Sequence, residues 1–446
     1  MINDELSMKY KKVFVWSVIT ALGGFLFGFD TAVISGVEKT IQSVFALSPV
    51  QHGLVISSAL IGTVIGAIFA SRPADKWGRR PVLIAIALLY LLSAVGCAFS
   101  NGPVLLFIFR LIGGFGVGAS SVVAPMYISE ISPANVRGRM TAMFQLNVIT
   151  GMLVAYTSNW LLYDALDNAW RMMLGVEGVP AFLFFLLLFR VPESPRFLLM
   201  KSRKEEAKKV LQTIDASSVD ENVIAIEEDI LQASRQGGKL FVKAYRKPIM
   251  IAFLVAMFNQ FCGINAVLYY AARIFESSGL SSGDSLFHSV IVGAVNFAFT
   301  LVGTVLIDKV GRKKLLFIGS VGMTVCLATI AFVFYSATPS PMLLLISLLV
   351  YIAFFAMSTG AVIWVIISEV FPNQIRGKGQ SFGSFTHWSL AALITFCFPI
   401  IANVGNVGLS ATFLFFAIMM VFQAIFAKRW LPETSCRSLE EIGKNL

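Results

Sequence analysis

The chain has 446 residues, of which 57% are apolar and only 13% are charged, and its mean hydropathy is +0.78. A soluble chain is about a quarter charged, so this one has too little polar surface for globular cores, and soluble enzymes, secreted disulfide scaffolds and disordered chains are excluded. Twelve membrane-spanning helices of about 20 residues would use roughly 240 positions, close to the whole apolar inventory, which predicts a polytopic membrane protein.

Twelve apolar stretches of spanning length follow one another along the chain. They form two groups of six around a polar stretch, which predicts an all-α membrane protein with two six-helix halves. The predicted parts are an N-terminal half over 1–191, a helical linker over 192–247, a C-terminal half over 248–430 and a tail over 431–446. The predicted spans are 13–36, 53–71, 81–100, 103–124, 141–163, 171–191, 248–272, 286–307, 315–337, 342–368, 380–404 and 408–430.

The net charge is +10, and the positions of the 35 Lys and Arg residues along the chain indicate its role. If both termini are on one side, the segments on that side hold all of them except Lys39, Arg110, Arg171 and Arg273. The positive-inside rule then predicts a cell inner membrane protein with cytoplasmic termini and a cytoplasmic linker. The basic segments are expected to meet anionic lipid rather than nucleic acid, and the five cysteines show no metal or disulfide spacing.

Three motifs of the first half recur in the second half in the same order, about 240 residues later. Such a parallel repeat is typical of transporters in which two halves enclose a site near the midplane and give alternating access to it. The pairs are DKWGRR at 75–80 with DKVGRK at 308–313, SEISPANVRGR at 129–139 with SEVFPNQIRGK at 368–378, and PES at 192–194 with PET at 432–434.

Asp30 lies inside the first predicted span. An ionised aspartate near the bilayer centre costs about 2.5–3.5 kcal/mol, so Asp30 must be neutral, hydrated or paired, and Arg110 is the one basic residue deep in a predicted span. A carboxylate whose cationic partner approaches and withdraws changes its proton affinity, which is what proton coupling requires. The alternative is a static ion pair that packs two spans. Glu177, near the outer end of span 6, is a second acid inside a predicted span and suits a hydrated structural carboxylate.

Several amides and two tryptophans occur in mid-span, where sugar recognition would use them. Sugar hydroxyls both donate and accept hydrogen bonds, and flat apolar rings suit the C–H faces of a sugar. Interhelical hydrogen bonding is the alternative for each amide, and an interfacial belt is the alternative for Trp364, whereas Trp388 lies too deep for it. The amides are Gln145, Asn259, Gln260, Asn265 and Asn296, and Gly263 can interrupt span 7 among them.

Over nearly its whole length the chain resembles the sugar porter family of the major facilitator superfamily. Within that family the pattern is closest to bacterial xylose–proton symporters and facilitative glucose transporters. Besides the repeated loops, the resemblance rests on Arg110 with the glycines of 113–118, PMYISE at 125–130, PESPR at 192–196, QFCGIN at 260–265 and PET at 432–434.

The resemblance implies the major facilitator fold and a proton-coupled symporter that imports a monosaccharide, a pentose or a hexose, as a functional monomer without a cofactor. It assigns the proton to Asp30, modulated by Arg110, with Glu177 as an accessory. Facilitative members have Asn where this chain has Asp30. The positions that match family sugar contacts are Gln145, Gln260, Asn265, Asn296, Trp364 and Trp388, with Asn259 where Gln is usual, and Phe27 and Tyr269 match aromatic wall positions.

His387 departs from the family pattern, since symporters have Gln and facilitative members Asn at this position. It is a sugar contact, a second proton-sensitive group or a packing histidine, and the particular sugar is therefore left open. The resemblance also implies a cytoplasmic gate of charged residues that pair across the cytoplasmic face when the site opens outward. The alternative is that these charges only set the orientation of the chain in the membrane. The gate residues are Asp75, Arg79, Arg80, Glu130, Arg137, Asp308, Arg312, Glu369 and Arg376.

Two other functions stay open at this point. A facilitative sugar uniporter would share every feature except Asp30. A sugar sensor that does not transport usually needs a long signalling tail, and only about 16 residues follow Trp430. An enzyme is not expected, because no nucleophile–base pair and no metal constellation stands out.

Overall fold

The computed structural model describes residues 11–133, 135–165, 168–216, 218–235, 240–336, 340–372 and 375–433. Within these ranges the regular secondary structure is helical throughout. Twelve helical segments of 20 to 29 residues are long and apolar enough to cross a membrane, six before the linker and six after it. The predicted all-α fold with twelve spans in two halves is confirmed.

The helices of the first half and the linker follow the predicted order. Spans 1 to 6 are α1 (Lys11–Val33), α3 (Pro49–Phe69), α5 (Arg79–Ala98), α6 (Pro103–Ile131), α7 (Arg137–Leu162) and the pair α8 (Ala169–Gly175) and α9 (Gly178–Leu188). The short helices α2 (Glu38–Val44) and α4 (Ser71–Trp77) join them, and the linker contains α10 (Pro195–Met200), α11 (Lys204–Ile214) and α12 (Val219–Arg235).

The second half repeats this arrangement. Its spans are α13 (Arg246–Phe261) with α14 (Ile264–Tyr269), α16 (Ser282–Val310), α17 (Arg312–Tyr335), α18 (Pro341–Met357) with α19 (Thr359–Glu369), α20 (Arg376–Ala402) and α21 (Asn406–Arg429). The short helix α15 (Ala271–Glu276) follows span 7.

Three spans are broken in the middle, and only one break was predicted. Span 7 is interrupted at Gly263, whose φ of +86° is a conformation that glycine adopts without strain. Span 6 is interrupted at Val176 and Glu177, and span 10 at Ser358. Breaks in spanning helices expose backbone polar groups, and these are tolerated where protein or a water-filled cavity surrounds them.

Glycine allows α3 and α6 to pack closely in the first half. A Cβ on Gly114 would lie 1.8 Å from the carbonyl oxygen of Ala59, and one on Gly118 would lie 2.1 Å from that of Thr63. The glycine-rich run of α6 is thus a helix contact, as small residues commonly are in membranes.

The two halves contact each other through α20 against α3 and through α16 against α7. Away from this interface, large apolar side chains such as Val325 and Phe332 are exposed on the outside of the bundle, as expected for a surface in contact with lipid. The linker helices lie at one end of the bundle, where Leu198 and Leu211 join the apolar core of the first half. We call this end the linker face and the other end the opposite face.

Candidate functional site

Asp30 and Arg110 form a buried ion pair inside the first half. Asp30 lies on α1 and Arg110 on α6, and the two side chains are only 6% and 1% exposed. The Nη1 atom of Arg110 donates to Oδ1 of Asp30 at 3.3 Å. The Nε and Nη2 atoms of Arg110 are buried without a hydrogen-bond partner among the described residues, so the guanidinium is incompletely satisfied.

Glu177 completes a three-membered charge cluster in the same half. It lies at the break between α8 and α9 and is buried, so the interpretation of a hydrated carboxylate does not fit this conformation. Its carboxyl group lies within electrostatic range of both Asp30 and Arg110. Tyr269, from α14 of the other half, lies within electrostatic range of Asp30 and Arg110. The first half therefore holds two acids and one base, with an aromatic residue of the second half nearby.

The amides of span 7 form a hydrogen-bonded chain with His387 of α20. Gln260 Nε2 donates to Asn259 Oδ1 at 3.0 Å, and Asn265 Nδ2 donates to Gln260 Oε1 at 2.5 Å. The Nε2 atom of Gln260 also lies 3.1 Å and 3.2 Å from the two ring nitrogens of His387. Asn259 Nδ2 donates to the carbonyl oxygen of Thr359, next to the break in span 10. The broken spans 7 and 10 thus meet at this chain of polar groups.

Aromatic rings cover one side of this polar chain. The ring of His387 lies 4.6 Å from that of Trp388 and 4.8 Å from that of Trp364. Phe27, on α1 of the other half, packs edge-on against Trp388 at 5.4 Å. The contact with His387 places Trp364 at the polar chain, although its side chain is partly exposed. These rings and amides provide the flat apolar surface and the neutral polar groups that a polyhydroxyl ligand needs.

Two predicted sugar contacts do not join the chain. Gln145 is exposed on α7 and forms none of the hydrogen bonds described above. Asn296 of α16 is buried, and its Nδ2 atom lies 3.8 Å from Sδ of Met152 on α7. Asn296 therefore contributes to the contact between the two halves. No group of three or more His, Cys, Asp or Glu side chains among the described residues could hold a metal ion.

The predicted gate residues of the first half cluster at the linker face. Arg79 Nε and Nη2 each donate to a carboxylate oxygen of Glu130 at 2.9 Å, and Nη1 lies 3.2 Å from Asp75. Arg80 donates to the carbonyl oxygens of Leu188 and Phe189. Arg137 lies at the start of α7 and forms no ion pair with a described residue.

The second half repeats this cluster with weaker geometry. Arg312 Nη2 donates to Glu369 Oε1 at 3.3 Å, so this pair, like Arg79–Glu130, lies within one half. Arg376 begins α20, and its Nε and Nη2 atoms are buried without hydrogen-bond partners among the described residues. The side chain of Asp308 lies outside the described residues.

The same contact occurs in both halves and explains why basic residues can begin α5 and α17. A cation at a helix N-terminus is unfavourable because of the helix dipole. The Glu193 carboxylate accepts hydrogen bonds from the backbone N–H groups of Arg79 and Arg80, and Glu433 does the same for Arg312 and Lys313. These two glutamates belong to the third repeated motif, and the sequence offered no sign of this role beyond the repetition itself.

The opposite face is closed by contacts that cross between the halves, and our sequence analysis missed them. Glu38 pairs with Arg273, and Lys39 pairs with Glu276. The Tyr156 hydroxyl donates to the carbonyl oxygen of Leu268 at 2.8 Å. The sequence analysis noted Lys39 and Arg273 only as basic residues outside the basic segments. Because basic residues are rare on that side, each of them was a candidate for a specific ion pair.

Comparison with known proteins gives a consistent result over the full length. The chain matches the family described as "Sugar (and other) transporter" over residues 16–446. It is 36% identical over 440 residues to the arabinose-proton symporter of Bacillus subtilis (strain 168), which covers 97% of this chain and 94% of that protein. It is 34% identical over 476 residues to the D-xylose-proton symporter of Escherichia coli (strain K12), which covers 98% and 96%.

The fold is also similar to a solved structure of a transporter. The structure is the inward open conformation of the xylose transporter XylE from E. coli, with a TM-score of 0.86 and 33% sequence identity. The match covers 97% of this chain and 99% of that chain.

Proposed function

This chain belongs to the sugar transporter family, and we propose on that premise that it is a proton-coupled symporter that imports a monosaccharide by alternating access. The two relatives described above are named as symporters of a pentose with protons. Pentoses are therefore the first substrates to test, with hexoses next. The facilitative alternative is not favoured, because the position where facilitative members have Asn holds an acid in this chain.

The observation that carries the proposal is the charge balance of Asp30, Glu177 and Arg110. All three side chains are buried in one half. If all three were ionised, one negative charge would remain without compensation in a medium of low polarity, which is strongly unfavourable. One proton makes the cluster neutral. The cluster is therefore a site that binds a proton when it is buried and can release it when water reaches it.

The amide chain supports binding of a neutral polyol. Asn265 Nδ2 donates to Gln260 Oε1, and each amide can exchange that hydrogen bond for one to a sugar hydroxyl. Because Gln260 Oε1 already accepts from Asn265, its Nε2 group faces His387 as a donor. A ring nitrogen that accepts this bond belongs to a neutral imidazole. This favours a plain sugar contact for His387 over a proton-sensitive group.

The contacts at the two faces suggest which state of the cycle the structure represents. The halves are joined at the opposite face, while Arg79–Glu130 and Arg312–Glu369 stay within their halves at the linker face. We assign the linker face to the cytoplasm, with both termini inside and the chain in the inner membrane. The structure is then an inward-facing state. We propose further that the chain functions as a monomer.

In the cycle that follows, Asp30 takes a proton from outside and a sugar binds between the halves. The halves rotate, and both are released inside. In the test, purified protein in vesicles takes up labelled arabinose, xylose, hexoses and inositol, with and without a protonophore. We expect accumulation of at least one pentose against its gradient and loss of that accumulation with the protonophore.

Asp30→Asn is the decisive variant, because Asn keeps the shape and an acceptor for Arg110 but cannot carry a proton. It is expected to abolish accumulation and to retain exchange of sugar across the membrane. Asp164→Asn, at an exposed aspartate, is the control and should accumulate sugar normally. Unchanged accumulation in Asp30→Asn would refute the coupling role. Downhill uptake alone in the parent protein would indicate a uniporter, and sugar binding without any uptake would indicate a sensor.

A further inference from the structure

Glu38 is a buried carboxylate at the contact between the two halves on the opposite face. It begins α2, just after the end of span 1, and is 1% exposed. Charged residues are rarely buried so completely without specific partners. Its partners are Arg273, Gln42 and His52, and we call these four residues the Glu38 cluster.

Arg273 holds Glu38 from the other half in the strongest geometry that an ion pair can adopt. Its Nε and Nη2 atoms donate to the two carboxylate oxygens of Glu38, each at 2.7 Å. Nη2 also donates to Gln42 Oε1 at 2.6 Å. Arg273 lies on α15, so this bidentate pair bridges α2 and α15 and thereby the two halves.

His52 supports the carboxylate from a third element. It lies on α3, is fully buried, and its Nε2 atom is 2.9 Å from Glu38 Oε2. The Tyr270 ring, next to α15, packs edge-on against the imidazole. A second ion pair, Lys39 with Glu276, crosses between the halves beside the cluster but is open to water. A polar cleft of about 270 Å³ reaches the cluster from outside.

In this environment both Glu38 and Arg273 favour their charged forms. Burial alone raises the pKa of Glu38, but Arg273 and the hydrogen bonds from His52 and Arg273 outweigh burial, so that the pKa of Glu38 is lowered from its usual value. Burial by itself lowers the pKa of Arg273, but the Glu38 carboxylate raises it by more. The pKa of Arg273 is therefore raised from its usual value. Glu38 is thus an ionised partner throughout the neutral pH range.

We infer that the Glu38–Arg273 pair is the gate of the opposite face: it holds that face closed in the inward-facing state and must break for the face to open. The pair is bidentate, its carboxylate is buried, and it is shared between halves that separate when access changes sides. Glu38 and Arg273 are therefore gating residues for transport, distinct from the cluster that binds the proton. The inference rests on the alternating access of the proposed function.

Ser35 offers a reporter for this gate. It lines the same cleft, is 2% exposed, and its Oγ atom accepts a hydrogen bond from the backbone N–H of Ala272 in the other half at 3.5 Å. A cysteine in its place is shielded while the face is closed and reacts with thiol reagents when the face opens. The experiment measures the labelling rate of Ser35→Cys in purified protein in detergent, and protein without this cysteine gives the background of the native thiols.

Glu38→Gln and Arg273→Gln, each combined with Ser35→Cys, are expected to raise the labelling rate at least tenfold. Arg171→Gln is the matched control, because it removes an arginine of the same face whose hydrogen bond to Ala98 stays within the first half. It should change the rate less than twofold. Labelling of buried Cys97 must stay low in all variants, which shows that the protein has not unfolded.

Rates equal to that of the parent in both Glu38→Gln and Arg273→Gln would overturn the inference. If Glu38→Gln fails to fold, Arg273→Gln decides alone, since Arg273 is at the edge of the cluster and 18% exposed. The assay needs neither sugar nor a proton gradient. Failure of the proposed symport would therefore leave the gate testable, and failure of the gate would leave the uptake experiments untouched.

Discussion

Asp30 and Glu38 are buried carboxylates on the same stretch of chain, yet their partners lie in different halves. Asp30 pairs with Arg110 of its own half at 3.3 Å, and Glu38 pairs with Arg273 of the other half at 2.7 Å. When two halves rotate against each other as rigid bodies, the first pair stays together and the second separates. Both acids are buried, so the half that holds the partner arginine is what distinguishes a proton site from a gate.

Because Arg110 lies in the same half as Asp30, the proton affinity of Asp30 must vary through a different moving partner. The sequence suggested that Arg110 approaches and withdraws during the cycle, but α1 and α6 belong to the same half. What moves relative to Asp30 is α14 of the other half, whose Tyr269 lies within electrostatic range of it. Removing α14 from Asp30 lets water reach the carboxyl, and desolvation is one of the main causes that set its proton affinity.

The largest effect is expected when the pair within one half is broken. Arg110→Met leaves Asp30 and Glu177 buried without a cation, and loss of one partner of a buried pair typically costs about 3–5 kcal/mol. We expect a loss of this size in the free energy of unfolding, measured by thermal or denaturant unfolding in detergent. Asp30→Asn in the Arg110→Met background should recover part of it.

Arg171→Met provides the comparison for that measurement. Arg171 stacks over the Trp170 ring and donates to one carbonyl group, and it has no buried acid to neutralise, so its removal should cost about 1 kcal/mol or less. If Arg110→Met were as mild, the two acids would be neutral without the arginine. The charge balance that supports the proton site would then be wrong.

The sequence was a good guide wherever one residue or a local run determines the structure. Twelve apolar stretches were recognisable because each span needs about 20 apolar residues, and Gly263 marked the break in span 7 because few other residues adopt its φ of +86°. The breaks at Glu177 and Ser358 have no residue with a positive φ, so no single position marked them. The Glu38–Arg273 pair could not be predicted, because its members are more than 200 positions apart and meet only through the packing of the two halves.

The two acids should also differ in their response to pH. The pKa of Glu38 is lowered in this state, so the closing contribution of the carboxylate is fully present above its usual value of 4.5 and is lost only as the pH falls through the lowered pKa. Because only the thiolate reacts, the labelling rate of Ser35→Cys is divided at each pH by the rate for the same protein unfolded in denaturant. This ratio should change less than twofold between pH 8 and about 5.5. The same measurement on Ser35→Cys combined with Glu38→Gln, which has no carboxylate at this position, is the control.

The comparison is the rate of sugar-driven proton uptake, which depends on Asp30. This rate must change with the proton gradient over the same pH range. A tenfold rise in this normalised labelling rate between pH 7 and 5.5 would contradict the prediction for Glu38. It would mean that Glu38 takes up a proton near neutral pH, and the division of the two carboxylates into proton site and gate would fail.

Among the substitutions at the gate, the smallest effect is expected at Lys39, which tests whether burial or a position between the halves makes a gate. Lys39 and Glu276 also pair across the halves, but the Lys39 side chain is 63% exposed. Exposed pairs are screened by water and contribute about 0–1 kcal/mol, so Lys39→Gln should change the labelling of Ser35→Cys by less than about fivefold. Glu38→Gln, measured in parallel, is expected to exceed tenfold. If Lys39→Gln opened the face as much, crossing between the halves would suffice for a gate, and burial of the Glu38 cluster would not be its physical basis.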